Sequence, residues 1–276
     1  MKLNVLLLAL VSFFVISCSS SNEPVKENDN ILLLKASQNA VDSAAADLYS
    51  TLKISCQTVF DSNFNETVIK NELKSIFSKY PAIAEAVYVN ENNIIQYVEP
   101  EIYESAIGSD ITNQEHQQKM ITTHEPAMSG IFKVVEGYYA IVMAVPIISN
   151  GQKLGSINLV VKPHEFISFY TNKYLMNLPD STFKIDDLWV METNGNIIYD
   201  TDPIQTGRNL FIDSLYLQYP ELLTAGKKII AADNGQTYYS FLDKTKQKTV
   251  TKDVWWRTSS YYGKVWKFSI VKERGK

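Results

Sequence analysis

The sequence predicts an α+β chain in which a long N-terminal helix is followed by two modules, each built on an antiparallel five-stranded sheet. Three observations predict it. Residues 31–60 contain neither Gly nor Pro, and Leu34, Val41, Ala45, Leu48, Leu52, Cys56 and Val59 recur at spacings of three, four and seven. That spacing makes the stripe of a half-buried helix. A β-rich hairpin pattern occurs twice, at an offset of 103 residues. After each hairpin, alternating runs broken by Gly-containing turns mark further strands.

The N-terminus reads as a targeting segment. Lys2 supplies a short positive region, and the apolar run over 3–16 is too short to span a bilayer comfortably. It ends in Val15-Ile16-Ser17-Cys18, which resembles the bacterial lipobox, where cleavage precedes the Cys and the thiol is acylated. Residues 1–17 are then a signal peptide, and Cys18 carries lipid. Residues 18–30 form a polar tether with nothing to pack. The other reading is an ordinary secretory signal. With Cys18 acylated, Cys56 has no partner in the chain, so neither a disulfide nor a Cys-based zinc site is expected. Cys56 is expected as a small buried residue, with an intermolecular disulfide as the alternative. Beyond Cys18 no run approaches 18 apolar residues, so the mature protein is expected to lack a transmembrane helix. Apolar residues make up 45%, charged residues 20% and the net charge is −4, without a basic stripe. Nucleic acid is a poor partner for such a surface.

The elements follow in order. Residues 65–80 continue as a second helix that Pro81 ends. Ala86 to Val89 and Ile94 to Val98 flank the polar turn Asn90-Glu91-Asn92-Asn93, giving a hairpin. An irregular insert over 100–127 comes next. Strands are expected over 129–135, 138–148 and 153–161, and a connecting helix over 163–185. The second half repeats this plan. Asn93-Ile94-Ile95 maps onto Asn196-Ile197-Ile198, and Pro100 maps onto Pro203 at the same offset. Trp189, Trp255, Trp256 and Trp266 are expected in the core.

This plan resembles the double Cache family of PAS-like extracellular sensor domains. The motifs that carry the resemblance include Ile107-Gly108-Ser109-Asp110, Glu125-Pro126-Ala127-Met128-Ser129 and Leu154-Gly155-Ser156-Ile157 in the first half. In the second half they include the run from Gly195 to Pro203, Thr206-Gly207-Arg208-Asn209, and Gly263-Lys264-Val265-Trp266. The resemblance covers roughly 31–272. It implies a helical segment over 31–80, a membrane-distal module over 81–162 and a membrane-proximal module over 186–276. It also implies that a small extracellular ligand binds in the distal module. Typical members continue into a transmembrane helix and a cytoplasmic transducer; this chain is expected to have neither, which puts direct signalling by this polypeptide in doubt.

A pocket in such a module lies between sheet and insert. That nominates Tyr103, Asp110, His116, Lys119 and Tyr139 as ligand-binding residues. Asp110 can accept from an amine, His116 and Lys119 can face a carboxylate, and the two tyrosines can form an aromatic wall. For Asp110 a turn role is the competing reading, and His116 and Lys119 also read as a solvated helix face. Amino-acid-binding members of the family carry an Arg and aromatics on the helix that corresponds to 114–121; here no Arg, Tyr or Trp occurs, which counts against a free α-amino acid unless Lys119 substitutes, a change that loses the bidentate fork. Asp200, Asp202 and Arg208 read as a structural turn rather than a metal site. His164-Glu165-Phe166-Ile167-Ser168 begins like a zinc-protease motif but lacks the second His, and no nucleophile elbow or phosphate loop is present. No catalytic residue, metal or cofactor is nominated. The expected function is an exported, lipid-anchored sensor that binds a small molecule such as an organic acid or amine and passes its state to a membrane receptor. The alternative is an envelope lipoprotein that dimerises or docks through its long helix, with no ligand. A hydrolase of unrecognised type is the third reading.

Overall fold

A computed structural model describes residues 29–134, 137–175, 188–243 and 247–275. The expected signal peptide, Cys18 and all but the end of the tether lie outside them. Helix α1 (Asp29–Asp61) and helix α2 (Glu66–Lys79) lead into β1 (Ile83–Asn90) and β2 (Ile95–Glu99). The insert holds a 3-10 turn (Glu101–Ala106) and α3 (Glu115–Thr123), and the module closes with β3 (Ala127–Met128), β4 (Phe132–Lys133), β5 (Tyr139–Ser149) and β6 (Gln152–Val161). Helix α4 (Pro163–Leu175) follows; the rest of the expected connecting helix lies outside the described residues. The second module comprises β7 (Leu188–Glu192), β8 (Ile197–Asp200), a 3-10 turn (Pro203–Gln205), α5 (Ser214–Leu217), α6 (Pro220–Ala231), β9 (Asn234–Asp243), β10 (Lys248–Tyr261) and β11 (Lys264–Glu273).

The two sheets share one topology. The first runs β2-β1-β6-β5-β3, with β4 as a sixth strand on β5; the second runs β8-β7-β11-β10-β9. All pairs are antiparallel. Of the strand expected over 129–135 only β4, two residues long, falls inside that span; β3 lies just before it.

The internal repeat is visible in the hydrogen bonds. Gly108 N–H donates to Ile95 C=O at 2.9 Å, and Gly207 N–H donates to Ile197 C=O at 2.8 Å. Ile95 N–H and Ile197 N–H return the bond to Ser109 and Arg208. Ile95 therefore matches Ile197, one residue off the register in which the sequence offset pairs Ile95 with Ile198. Both glycines have positive φ, +89° and +83°. A Cβ on Gly207 would overlap the Tyr139 ring, whereas one on Gly108 would meet nothing within 4 Å. Gly108→Ala is thus expected to cost about 1 kcal/mol of backbone strain alone, and Gly207→Ala about 2 kcal/mol or more. Denaturant midpoints of the two variants test this, and equal losses would remove Tyr139 from the contact.

Helix α1 is shared by both modules. Every residue of its expected stripe is at most 5% exposed. Towards its start, Gln38 Nε2 donates to Thr258 C=O at 2.9 Å and Asp42 accepts from Ser259 at 3.0 Å, both on β10. Towards its end, Cys56 Sγ lies 3.4 Å from Val145 C=O on β5. One continuous core joins Leu34, Val41, Leu52 and Val59 to both sheets. Each such side chain contributes about 1.5–3 kcal/mol on burial. The stripe is spent on the protein's own sheets. Burial pushes the Cys56 thiol up to about 12, which leaves it a packing residue.

Candidate functional site

Strand alternation sorts the first sheet into two faces. Ala86, Tyr88, Ile141, Met143, Ile157 and Leu159 join the core against α1. The opposite face, under the insert, carries Val87 and Val89 on β1, Val142 and Ala144 on β5, and Ser156 and Asn158 on β6. Asn158 lies beside Val87 and Ala144 in the register, and Ser156 beside Val89. Two polar side chains thus stand on an otherwise apolar stretch of floor.

Helix α3 covers them. It turns His116, Gln117 and Met120 inward, at 2%, 0% and 0% exposure. Gln117 Nε2 donates to Ser156 Oγ at 3.3 Å, and Asn158 Nδ2 lies 3.4 Å from His116 Nε2. The other amide atom of each, Gln117 Oε1 and Asn158 Oδ1, is buried without a hydrogen-bond partner. Turning either amide over exchanges which edge is orphaned without removing the orphan. Burial holds His116 down to about 4, with Lys153 adding to the effect and Glu115 opposing it, so the ring is neutral at pH 7.

The five nominated residues do not converge. His116 is in the cup. Tyr103 interacts with Tyr138, whose hydroxyl donates to Glu85 Oε1 at 3.1 Å. Asp110 is exposed, and its Oδ1 accepts from Thr112 N–H at 2.8 Å, a turn that lowers its carboxyl below the usual range. Lys119 is on the outer side of α3 and donates to Tyr262 C=O of the second module. Tyr139 shares strand parity with Ile141 and Met143 and packs against Gly207. Gln117, Ser156 and Asn158 went unnominated. Their signal was there: Ser156 and Asn158 interrupt the run from Leu154 to Val161 at alternate positions.

Helix α3 faces two ways. Inward it makes the cup. Outward, Glu115 Oε2 accepts from Gly130 N–H at 2.9 Å while Oε1 pairs with Lys264 of β11. A cleft of about 460 Å³ lies there between the modules, bordered by Glu115, His116, Phe132, Glu192 and Lys264. Burial raises the Glu192 carboxyl above its ordinary value.

In the second module, Asp200 Oδ1 accepts from Asp202 N–H and Asp202 Oδ1 from Ile204 N–H. Arg208 ties the turn through the Ile204 carbonyl at 3.2 Å and pairs with Asp213 at 2.8 Å. Among the described residues no group of three His, Cys, Asp or Glu side chains is placed to hold a metal, and no helix is long and apolar enough to cross a membrane.

Residues 36–163 match the family described as HK/GC/Chemotaxis protein-like, sensor domain, a span that takes in most of α1 and the whole first module. Solved structures resemble the chain over both modules. An extracellular ligand binding receptor from Desulfohalobium retbaense DSM5692 is 20% identical with a TM-score of 0.69; 89% of this chain is covered, and the chain spans 40% of the receptor's length. The periplasmic sensory domain of the Campylobacter jejuni chemoreceptor Tlp1 is 12% identical, TM-score 0.57, with 90% and 96% of the two chains covered. The chain has the double Cache, PAS-like fold. A third double Cache structure, the ligand binding domain of the Pseudomonas aeruginosa PAO1 amino acid chemoreceptor PctB in complex with L-Arg, is 10% identical, TM-score 0.61, covering 89% and 94%. No curated protein sequence matches the chain.

Proposed function

We propose that this chain is an exported sensor lipoprotein, anchored through lipid on Cys18, that binds a small polar molecule in the cup of its first module and passes its state to a membrane partner. The observation that carries the reading is the pair of buried amide edges, on Gln117 and Asn158, that lack partners beside a neutral His116. Unsatisfied buried polar atoms cost about 1–3 kcal/mol each, and a ligand with complementary groups relieves that cost. As the amides stand, both edges accept, so an amine or amide N–H is the matching chemistry. Double Cache neighbours add support, since the ligand-binding domain of the Pseudomonas fluorescens chemoreceptor CtaA was solved with L-isoleucine and that of PctB with L-Arg. The outward contacts of α3 to Lys264 and Tyr262 give binding in the cup a physical route to the second module. No catalytic step is part of this reading.

Thermal shift of the full chain against amines, amides, amino acids, organic acids and sugars tests it. A ligand at one hundred times its Kd stabilises by about 2.7 kcal/mol. Asn158→Leu keeps the branched heavy-atom shape and removes both polar atoms, so the fold is expected to persist. Binding is expected to weaken about tenfold or more, as is binding to Gln117→Met. Absence of any shift, or unchanged affinity in both variants, would remove the cup as the site.

A further inference from the structure

The second module carries a half-open pocket, about 350 Å³, between its sheet and the insert that carries α5 and α6. Its floor includes Trp189 and Ile197, and its lid includes Leu215 and Leu222. Its far wall is aromatic and braced. Tyr219 meets Phe241 edge-on with centroids 6.0 Å apart, and Tyr239 lies 6.1 Å from the same ring. The volume exceeds the ~150 Å³ of a dry cavity that accepts benzene and falls in the range of ordinary small-molecule pockets.

The polar groups at the rim are engaged with the protein itself. Tyr216 donates its hydroxyl to Gln205, Gln205 Nε2 donates to Asp202 Oδ2 at 3.1 Å, and Asp200 accepts from the Asp202 N–H. Lys252 stands over the Phe241 ring at 6.0 Å. An incoming charge would have to compete with these contacts for Asp200, Asp202 or Lys252 at the rim, whereas the inner walls offer it only apolar and aromatic surface, which is costly. An uncharged ring would gain the burial of its apolar surface and ring-to-ring contacts with the wall.

We propose that the second-module cavity is an independent binding site for a small uncharged ring compound of one or two rings. It shares no residue with the cup under α3, so the two sites stand or fall separately.

Indole is the probe, titrated calorimetrically into the full chain. Saturable binding of one molecule per chain is expected. Leu222→Trp and Leu215→Trp each add bulk inside the cavity and are each expected to weaken indole about tenfold or more. Leu215 is 38% exposed, so its variant keeps the test open if the Leu222 variant does not fold. Asn158→Leu is expected to leave indole affinity unchanged. Benzoate and benzylamine, rings that carry a charge, are expected to bind at least about tenfold more weakly than indole. The proposal is overturned if indole does not saturate, if the folded cavity-filling variants bind it as the parent does, if Asn158→Leu abolishes it, or if either charged ring binds as well.

Discussion

Trp266→Ala is expected to destabilise the protein by about 3–5 kcal/mol, which is a large share of the stability of an ordinary domain. Trp266 is the third residue of β11, is 1% exposed and fills the core that α1 shares with the second sheet. Its ring meets Tyr261 edge-on at 4.8 Å and lies 6.4 Å from Phe268. Truncation leaves a void bounded by a helix and a sheet, neither of which can collapse inward without losing its other contacts. The indole Nε1 is itself buried without a hydrogen-bond partner. Trp266→Phe removes that orphan while keeping most of the ring, so its loss is expected to be less than half that of the alanine variant. Urea unfolding with unchanged slope measures both. A loss below about 1 kcal/mol for the alanine variant would mean that the shared core is not what holds the modules on α1.

Acid is expected to destabilise the protein through His116. An unfolded His takes up a proton near 6.5, while burial keeps the folded ring neutral down to about 4. Between those values the unfolded chain binds more protons, so stability rises with pH. The contribution is fully present above about 6.5 and is lost as pH falls through about 4, to a total of about 3 kcal/mol. The charged groups that act on the ring are Glu115 and Lys153. Lys153 is pushed down to about 8 by burial and so titrates above this window. The carboxyls held below their usual range, such as Asp110 and Asp213, lose their contribution in more acid solution. Chemical denaturation at intervals from pH 7 to pH 4, on the parent and on His116→Asn, isolates the effect. The variant should show a flatter limb across this range, and identical limbs would refute a buried neutral ring.

What the sequence disclosed divides along physical lines. The stripe of α1 was legible because a helix that buries one face repeats every three or four residues, and nothing local competes with that period. The repeated hairpin was legible from its turns, although bulges after Tyr88 and Val190 shift the register locally, which an offset in sequence does not reveal. The cup was less legible. His116 and Gln117 belong to a stretch that reads as a solvated helix face, and only the placement of α3 over β6 buries them. Tyr139 reads as a wall residue by type, yet its parity with Ile141 sends it to the other side of the sheet. Trp189 shows the limit of residue type as a guide: it is buried, as expected of a core residue, and it also floors a cavity.

The way α1 is divided between two sheets bears on how this protein can be dissected. A fragment that ends after β6 would carry Leu34, Gln38 and Val41 stripped of the β10–β11 surface that covers them. A fragment that begins at β7 would leave Trp255, Tyr261 and Trp266 facing water. Neither half is a portable cassette, and a chimaera that borrows one module must take the full helix together with a substitute for the missing sheet.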